Sequence, residues 1–165
     1  ALKVLKYDHQ PQIAQPLGYW LADAWLKSSL APGMKLTVVP IPLHAKKLSD
    51  RGFNQAELLA QSFCQVTGLS LQGDGLERVR DTKPQFGLSE IERKQNIAGA
   101  FGLGKGFQKR PPTSGVLLLD DIYTSGKTAR EAADTLRQHG IRVYGIVAIS
   151  TGGQPLSLPL AKPVN

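Results

Sequence analysis

Cysteine is nearly absent: with only Cys64 among 165 residues, no internal disulfide can form and no cysteine-based metal site can be assembled. Long apolar runs are missing too. The strongest, Val116 to Leu119 and Ile146 to Ile149, are strand-sized, well short of the roughly 18 to 20 residues of a membrane helix. The opening ALKVLKYDHQ lacks the extended apolar core and small-residue cleavage site of a secretory signal. A reducing, cytoplasmic setting without membrane insertion is the expectation. Aromatic residues make up 7% of the chain, so ring stacking on nucleobases has few candidates. Acids are also scarce: 13 Asp and Glu against 20 Lys and Arg give a formal charge of +7, which favours anionic partners.

What is present reads as one α/β domain over residues 1–150 with an irregular tail over 151–165 that carries Pro155, Pro159 and Pro163. Ile13, Leu17, Trp20, Leu21 and Ala24 recur at helical spacing, predicting an amphipathic helix whose apolar face, flanked by Trp20 and Trp25, packs on a core or a partner. Leu36 to Pro40 predicts a strand, His44 to Gly52 a basic loop, and Asn54 to Thr67 a helix stopped by Gly68, with Cys64 among its packing residues. Residues 73 to 87 have little periodicity and predict a long loop. Ser89-Glu90-Ile91-Glu92 has capping-box spacing for a short helix toward Ile97, and 99 to 106 is glycine-rich and reads as irregular. Gly115 to Asp121 is a continuous apolar run ending in two acids, as buried parallel strands do. Ser125 can cap a following helix closed by Gly140, and Ile141 to Ser150 is the next strand, which completes a right-handed βαβ crossover.

The chemistry concentrates in Asp120 and Asp121 and the turn Thr124-Ser125-Gly126-Lys127-Thr128. Ligands of open α/β sheets bind at the carboxyl ends of strands, and a helix N-terminus preceded by small and hydroxyl residues, with a lysine in it, suits a phosphate monoester. Gly126-Lys127-Thr128 matches the end of the nucleotide-binding pattern G-x-x-x-x-G-K-[ST], but the first glycine falls on Asp121. Two carboxylates beside a phosphate cradle suit a ribose, whose hydroxyls they accept, or a Mg²⁺ held through water. The spacing therefore favours a sugar phosphate over a nucleoside triphosphate. His139, near a helix end, reads as a dipole partner, and His44 by itself identifies nothing.

This strand, acid pair and T-[ST]-G-x-T turn resemble the binding motif for 5-phosphoribosyl 1-pyrophosphate (PRPP) of type I phosphoribosyltransferases. Pro40-Ile41-Pro42-Leu43-His44, Arg51-Gly52-Phe53-Asn54-Gln55-Ala56 and the run Gln85 to Phe101, with Arg93 and Asn96, narrow the resemblance to the ComF family of competence and amidophosphoribosyltransferase-like proteins. The resemblance spans about residues 1–150. It implies a type I phosphoribosyltransferase-like fold, a mainly parallel sheet flanked by helices, with Mg-PRPP across the strand ends. Thr124 to Thr128 would hold the 5′-phosphate and Asp120 and Asp121 the ribose. His44, Lys46, Lys47 and Arg51 fall where such proteins hold pyrophosphate, and Arg78, Arg80, Lys83 and Gln85 in a mobile loop closing over PRPP, with Arg80 and Lys83 as catalytic cations.

The implied activity is that of a pentosyl glycosyltransferase of nucleotide metabolism, with Mg²⁺ as cofactor and a nitrogen nucleophile as acceptor. Thr124 replaces an aspartate of some purine-salvage relatives, and a hydroxyl is a poor general base there. Many ComF-type proteins carry a four-cysteine zinc ribbon, which one cysteine cannot build. The alternative reading is a DNA-uptake accessory that binds single-stranded DNA and protein partners of that system, with PRPP as regulator or ancestral ligand. It would rest on the cations with no other assigned partner, including Lys3, Lys6, Lys105, Lys109, Arg110 and Lys162.

Overall fold

The structure, a computed structural model, describes residues 10–31, 33–81, 87–123 and 125–150. A single 3-10 turn, Pro11–Ile13, leads into α1 (Ala14–Lys27). Then follow β1 (Leu36–Pro40), α2 (Ala45–Arg51), α3 (Gln55–Thr67), β2 (Ser70–Leu71), β3 (Leu76–Arg78), α4 (Glu90–Ile97), β4 (Phe101–Leu103), α5 (Lys105–Lys109), β5 (Gly115–Ile122), α6 (Lys127–Gln138) and β6 (Val143–Ser150). The main sheet has the order β2-β1-β5-β6 and every pairing in it is parallel. It is an α/β fold with a parallel sheet flanked by helices, as its apolar strands imply.

Strand periodicity divides the core in two. Leu36 and Val38 of β1, Leu117 and Leu119 of β5 and Val147 and Ile149 of β6 pack on α1 and α3. The alternate residues Val39, Val116, Leu118 and Ile146 pack on Ala129, Ala132, Ala133 and Leu136 of α6. Because β5 is covered on both faces, its four central residues are fully buried, which is why no polar alternation marks it in the sequence. Gly18 brings α1 close to α3, since a Cβ there would lie 2.8 Å from the Leu59 carbonyl oxygen. Trp25 packs edge-on to Phe63 and Tyr144 in the core, whereas Trp20 is 39% exposed and does not join it.

Three stretches read as irregular contain regular elements among the described residues. The basic segment after His44 is the helix α2: His44 Nδ1 accepts from the Lys46 N–H at its start, and Gly52 closes it with φ +84°. Within 73–87 lies β3, and within 99–106 lie β4 and the start of α5. The strands β3 and β4 form an antiparallel ribbon, with Leu76 opposite Leu103 and Arg78 opposite Phe101. Three-residue strands are too short for periodicity to reveal them. The capping box at Ser89 and Glu92 forms as read. The prolines at 155, 159 and 163 and the tail 151–165 lie outside the described residues. No helix among the described residues is long and apolar enough to cross a membrane.

Candidate functional site

The acids sit where β5 reaches the carboxyl edge of the sheet. Asp120 pairs in register with Ala148 and Ile122 with Ser150, so the strand persists beyond both carboxylates. The pleat therefore turns them to opposite faces: Asp120 follows Leu118 toward α6 and the ribbon, and Asp121 follows Leu119. Each accepts from the next backbone N–H, Asp120 Oδ1 from Asp121 at 2.8 Å and Asp121 Oδ1 from Ile122 at 2.9 Å. A small cleft opens there, lined by Asp120, Ile122, Tyr123, Gly126, Thr128 and Ala129. Asp121 is not among its lining residues.

The helix start differs from expectation. Gly126, not Ser125, occupies the N-cap position, with φ +74°, and Ser125 Oγ accepts from the Lys127 N–H at 3.5 Å. A side chain at Gly126 would collide with the Tyr123 phenol, so the tyrosine ring lies over the turn and forms one wall of the cleft. Tyr123 is a site residue that composition and spacing did not mark. Thr124 lies outside the described residues. Lys127 Nζ donates to the Glu90 carbonyl at 3.2 Å and pairs with the Glu90 carboxylate at 3.5 Å, which ties the start of α6 to the start of α4.

Cations approach from the ribbon and from α2. Arg78 lies beside Asp120 and its guanidinium stands over the Phe101 ring, 5.3 Å from the centroid. Burial lowers its pKa, while Asp120 and Asp81 pull the other way, so the two acids favour the charged form of a partly desolvated cation. An isolated parallel bridge between His44 and Arg78 joins the ribbon to the exit of β1. Lys47 forms an ion pair with Asp81 at 3.4 Å, on the same side. Lys46 is exposed at the first turn of α2.

Two predicted site residues have structural work instead. Arg80 Nη2 donates to the carbonyls of Gln95, Asn96 and Ala98, so it satisfies the open end of α4 and does not point to the cleft as a loop cation would. Arg51 Nη1 donates to Gln55 Oε1 at 2.8 Å, bridging α2 to α3. Lys83 and Gln85 lie outside the described residues, as does the side chain of Arg93. His139 Nδ1 lies 2.8 Å from the Thr135 carbonyl at the end of α6, the helix-end position read for it. The half-buried Cys64 thiol is pushed up to about 12 by desolvation, which keeps it protonated and unreactive at neutral pH.

Among the described residues no group of three or more His, Cys, Asp or Glu is placed to hold a metal ion. Of the two carboxylates, the cleft offers Asp120. That fits Mg²⁺, which keeps several waters and is commonly held by one or two carboxylates together with substrate phosphates.

No protein-family model matches the chain. Among curated proteins it is 35% identical over 146 residues to competence protein F of Haemophilus influenzae, covering 86% of this chain and 63% of that protein. It is 32% identical over 140 residues to the DNA utilization protein YhgH of Salmonella typhimurium, covering 82% and 59%. With competence protein ComFC of Bacillus subtilis the identity is 28% over 116 residues, covering 68% and 43%. The chain thus spans about three-fifths of the length of the first two. Similar solved structures include the allosteric regulatory enzyme of purine biosynthesis, with TM-score 0.48 and 19% identity over 86% of this chain and 25% of that one. A glutamine mutant of an HPRT gives TM-score 0.41 and 12% identity over 92% and 74%. The ordered sequence blocks around the acid pair and these sequence relatives agree: the chain belongs to the ComF family.

Proposed function

We propose that this chain is a cytoplasmic, Mg-PRPP-binding domain of the phosphoribosyltransferase type. The observation that carries the reading is the cleft where Asp120 meets the Gly126 turn, with Arg78 beside the carboxylate. The backbone N–H groups at the start of α6 and the Thr128 hydroxyl would take the 5′-phosphate. Asp120 would accept from a ribose hydroxyl, and Asp121 would act through water. A departing pyrophosphate would meet Arg78, Lys47 and Lys46, and Lys47 would exchange Asp81 for phosphate. Asp120 would hold Mg²⁺ through water, and the ion would supply charge neutralisation of the pyrophosphate.

Transfer from C1 of a ribose passes through an oxocarbenium-like state, so the protein's tasks are to orient the sugar, stabilise the leaving polyanion and exclude water. No covalent nucleophile is required, which accords with a protonated Cys64. Calorimetric titration of PRPP with Mg²⁺ tests the reading, alongside a thermal shift. Ligand at 100 times its Kd should stabilise the fold by about 2.7 kcal/mol. No heat and no shift with PRPP, together with a shift with ATP, would overturn it.

A second reading is favoured by the names of the relatives, competence protein F and DNA utilization protein, and by the charge of +7. In it the chain serves DNA uptake by binding single-stranded DNA and partner proteins, with PRPP as a regulator. Such binding would rest on phosphate contacts and weaken steeply with salt. Affinity for single strands that stays constant between 50 and about 200 mM salt would count against it.

A further inference from the structure

A second cleft opens at the other end of the sheet. It has a volume of about 770 Å³ and opens among residues 33–37, 68–72 and 107–114, at the amino ends of β1, β2 and β5. Since β5 advances about 3.3 Å per residue from Gly115 to Ile122, the two ends stand roughly 20 Å apart. A single sugar phosphate seated at Asp120 does not span that distance.

The walls of this second cleft are of two kinds. Met34, at 40% exposure, Leu71, at 37%, and the Pro111-Pro112 pair give an apolar surface. Two cations, Lys35 and Arg110, are exposed on its lining, and no aspartate or glutamate lines it. Among the described residues neither cation has an ion pair within the chain. The Thr37 hydroxyl on β1 and the Ser114 hydroxyl just before β5, 3.0 Å apart, add polar groups. A cleft of this size lies within the range that holds drug-sized and cofactor-sized molecules. Its charge complementarity selects an anion, and its apolar wall selects one that carries a flat, weakly polar body.

We propose that this cleft binds a nucleotide unit, with the phosphate on Lys35 and Arg110 and the base against Met34, Leu71 and Pro111-Pro112, separately from the Asp120 site. The same unit can arrive as a free mononucleotide or as part of a single strand. Lys109 and Lys105 on α5, next to Arg110, extend the positive surface beyond one phosphate.

The test is an amide NMR titration of the whole chain with thymidine monophosphate and, separately, with a six-residue oligothymidylate. Saturable shifts at Met34, Leu71, Thr113 and Ser114 with either probe are the expected result. Equal affinity for the two probes assigns a free nucleotide, and at least tenfold tighter binding of the oligomer assigns a strand. Lys35→Glu and Arg110→Glu should each weaken binding by about tenfold, as loss of a charged hydrogen bond does, while Lys47→Ala leaves it unchanged. Both substituted side chains are exposed, and an otherwise unaltered amide spectrum shows that each variant is folded. Shifts confined to residues 125–128, non-saturating shifts spread over all basic surfaces, or charge-reversal variants that bind as tightly as the parent would each overturn the assignment.

Discussion

Replacing Gly126 by alanine probes the turn that begins α6 from two directions. The residue has φ +74°, a conformation that costs a residue with a Cβ about 1 to 2 kcal/mol. The new methyl would also meet the Tyr123 ring, with Cζ 2.8 Å away, and overpacking of this sort costs about 1 to 3 kcal/mol. The two contributions add to roughly 2 to 5 kcal/mol, a large part of the 5 to 15 kcal/mol typical of a domain. They separate in a double-mutant cycle. With Tyr123→Ala in place the collision is gone and only the conformational cost of about 1 to 2 kcal/mol remains, so the coupling should be about 1 to 3 kcal/mol. Urea denaturation followed by circular dichroism measures all four proteins, with a shared denaturant slope as the check that the unfolded states are alike. An identical loss in both backgrounds would show that Tyr123 does not cover the turn. A loss near zero would show that the turn is not left-handed, and the phosphate-site geometry built on it would fall with it.

Because the pleat turns only Asp120 toward the cleft, Asp120→Asn should weaken PRPP binding by tenfold or more and Asp121→Asn distinctly less, on the scale of about 1.5 to 3 kcal/mol per charged hydrogen bond lost. Calorimetry that ranks them in the reverse order would reject the assignment. Arg80→Met removes donors to the carbonyls at the end of α4 and should cost about 1 to 2 kcal/mol in denaturation, with PRPP affinity within a factor of about two of the parent. A selective loss of affinity would return Arg80 to the binding machinery. For Cys64 the folded thiol titrates near 12 against an ordinary value of 9.0. The unfolded state therefore ionises first, and the thiol's contribution to stability is intact below pH 9 and declines as pH rises from 9 toward 12. Iodoacetamide labelling at pH 8 should be confined to denatured protein. Rapid labelling of the folded chain would contradict this.

Long elements were legible because they repeat a period over many residues. The β5-α6-β6 unit and α3 could be read from apolar spacing and from Gly68 and Gly140, both of which take positive φ. The ribbon was not legible: β3 and β4 pair only three residues each, and what fixes them is Phe101, Phe107 and Leu76 joining the α6 core from distant positions. At the site, spacing identified the acid pair but not its division between two faces, since that depends on the strand continuing to Ile122. Arg80 shows the remaining gap. A cation in a region of low periodicity looks available for a ligand until the carbonyls of a helix end are seen around it. The same holds for Arg51, whose partner Gln55 lies only four residues on, in the next helix.

The ribbon that carries Arg78 is also a separate unit of motion in principle. Two three-residue strands cannot hold together alone, and their described ties to the rest of the fold include one bridge at His44, the Lys47–Asp81 ion pair, side chains packed on α6 and the Glu131 carboxylate that accepts from the Gly99 N–H at 2.8 Å. Hydrogen exchange should accordingly find the β3–β4 amides opening at a much lower free energy than those between β5 and β6, in a subglobal step that leaves the parallel sheet intact. A ligand that bridges Arg78 and Asp120 would close that opening, so part of its intrinsic binding energy would be spent on ordering the ribbon, and the measured affinity would understate the strength of the contacts.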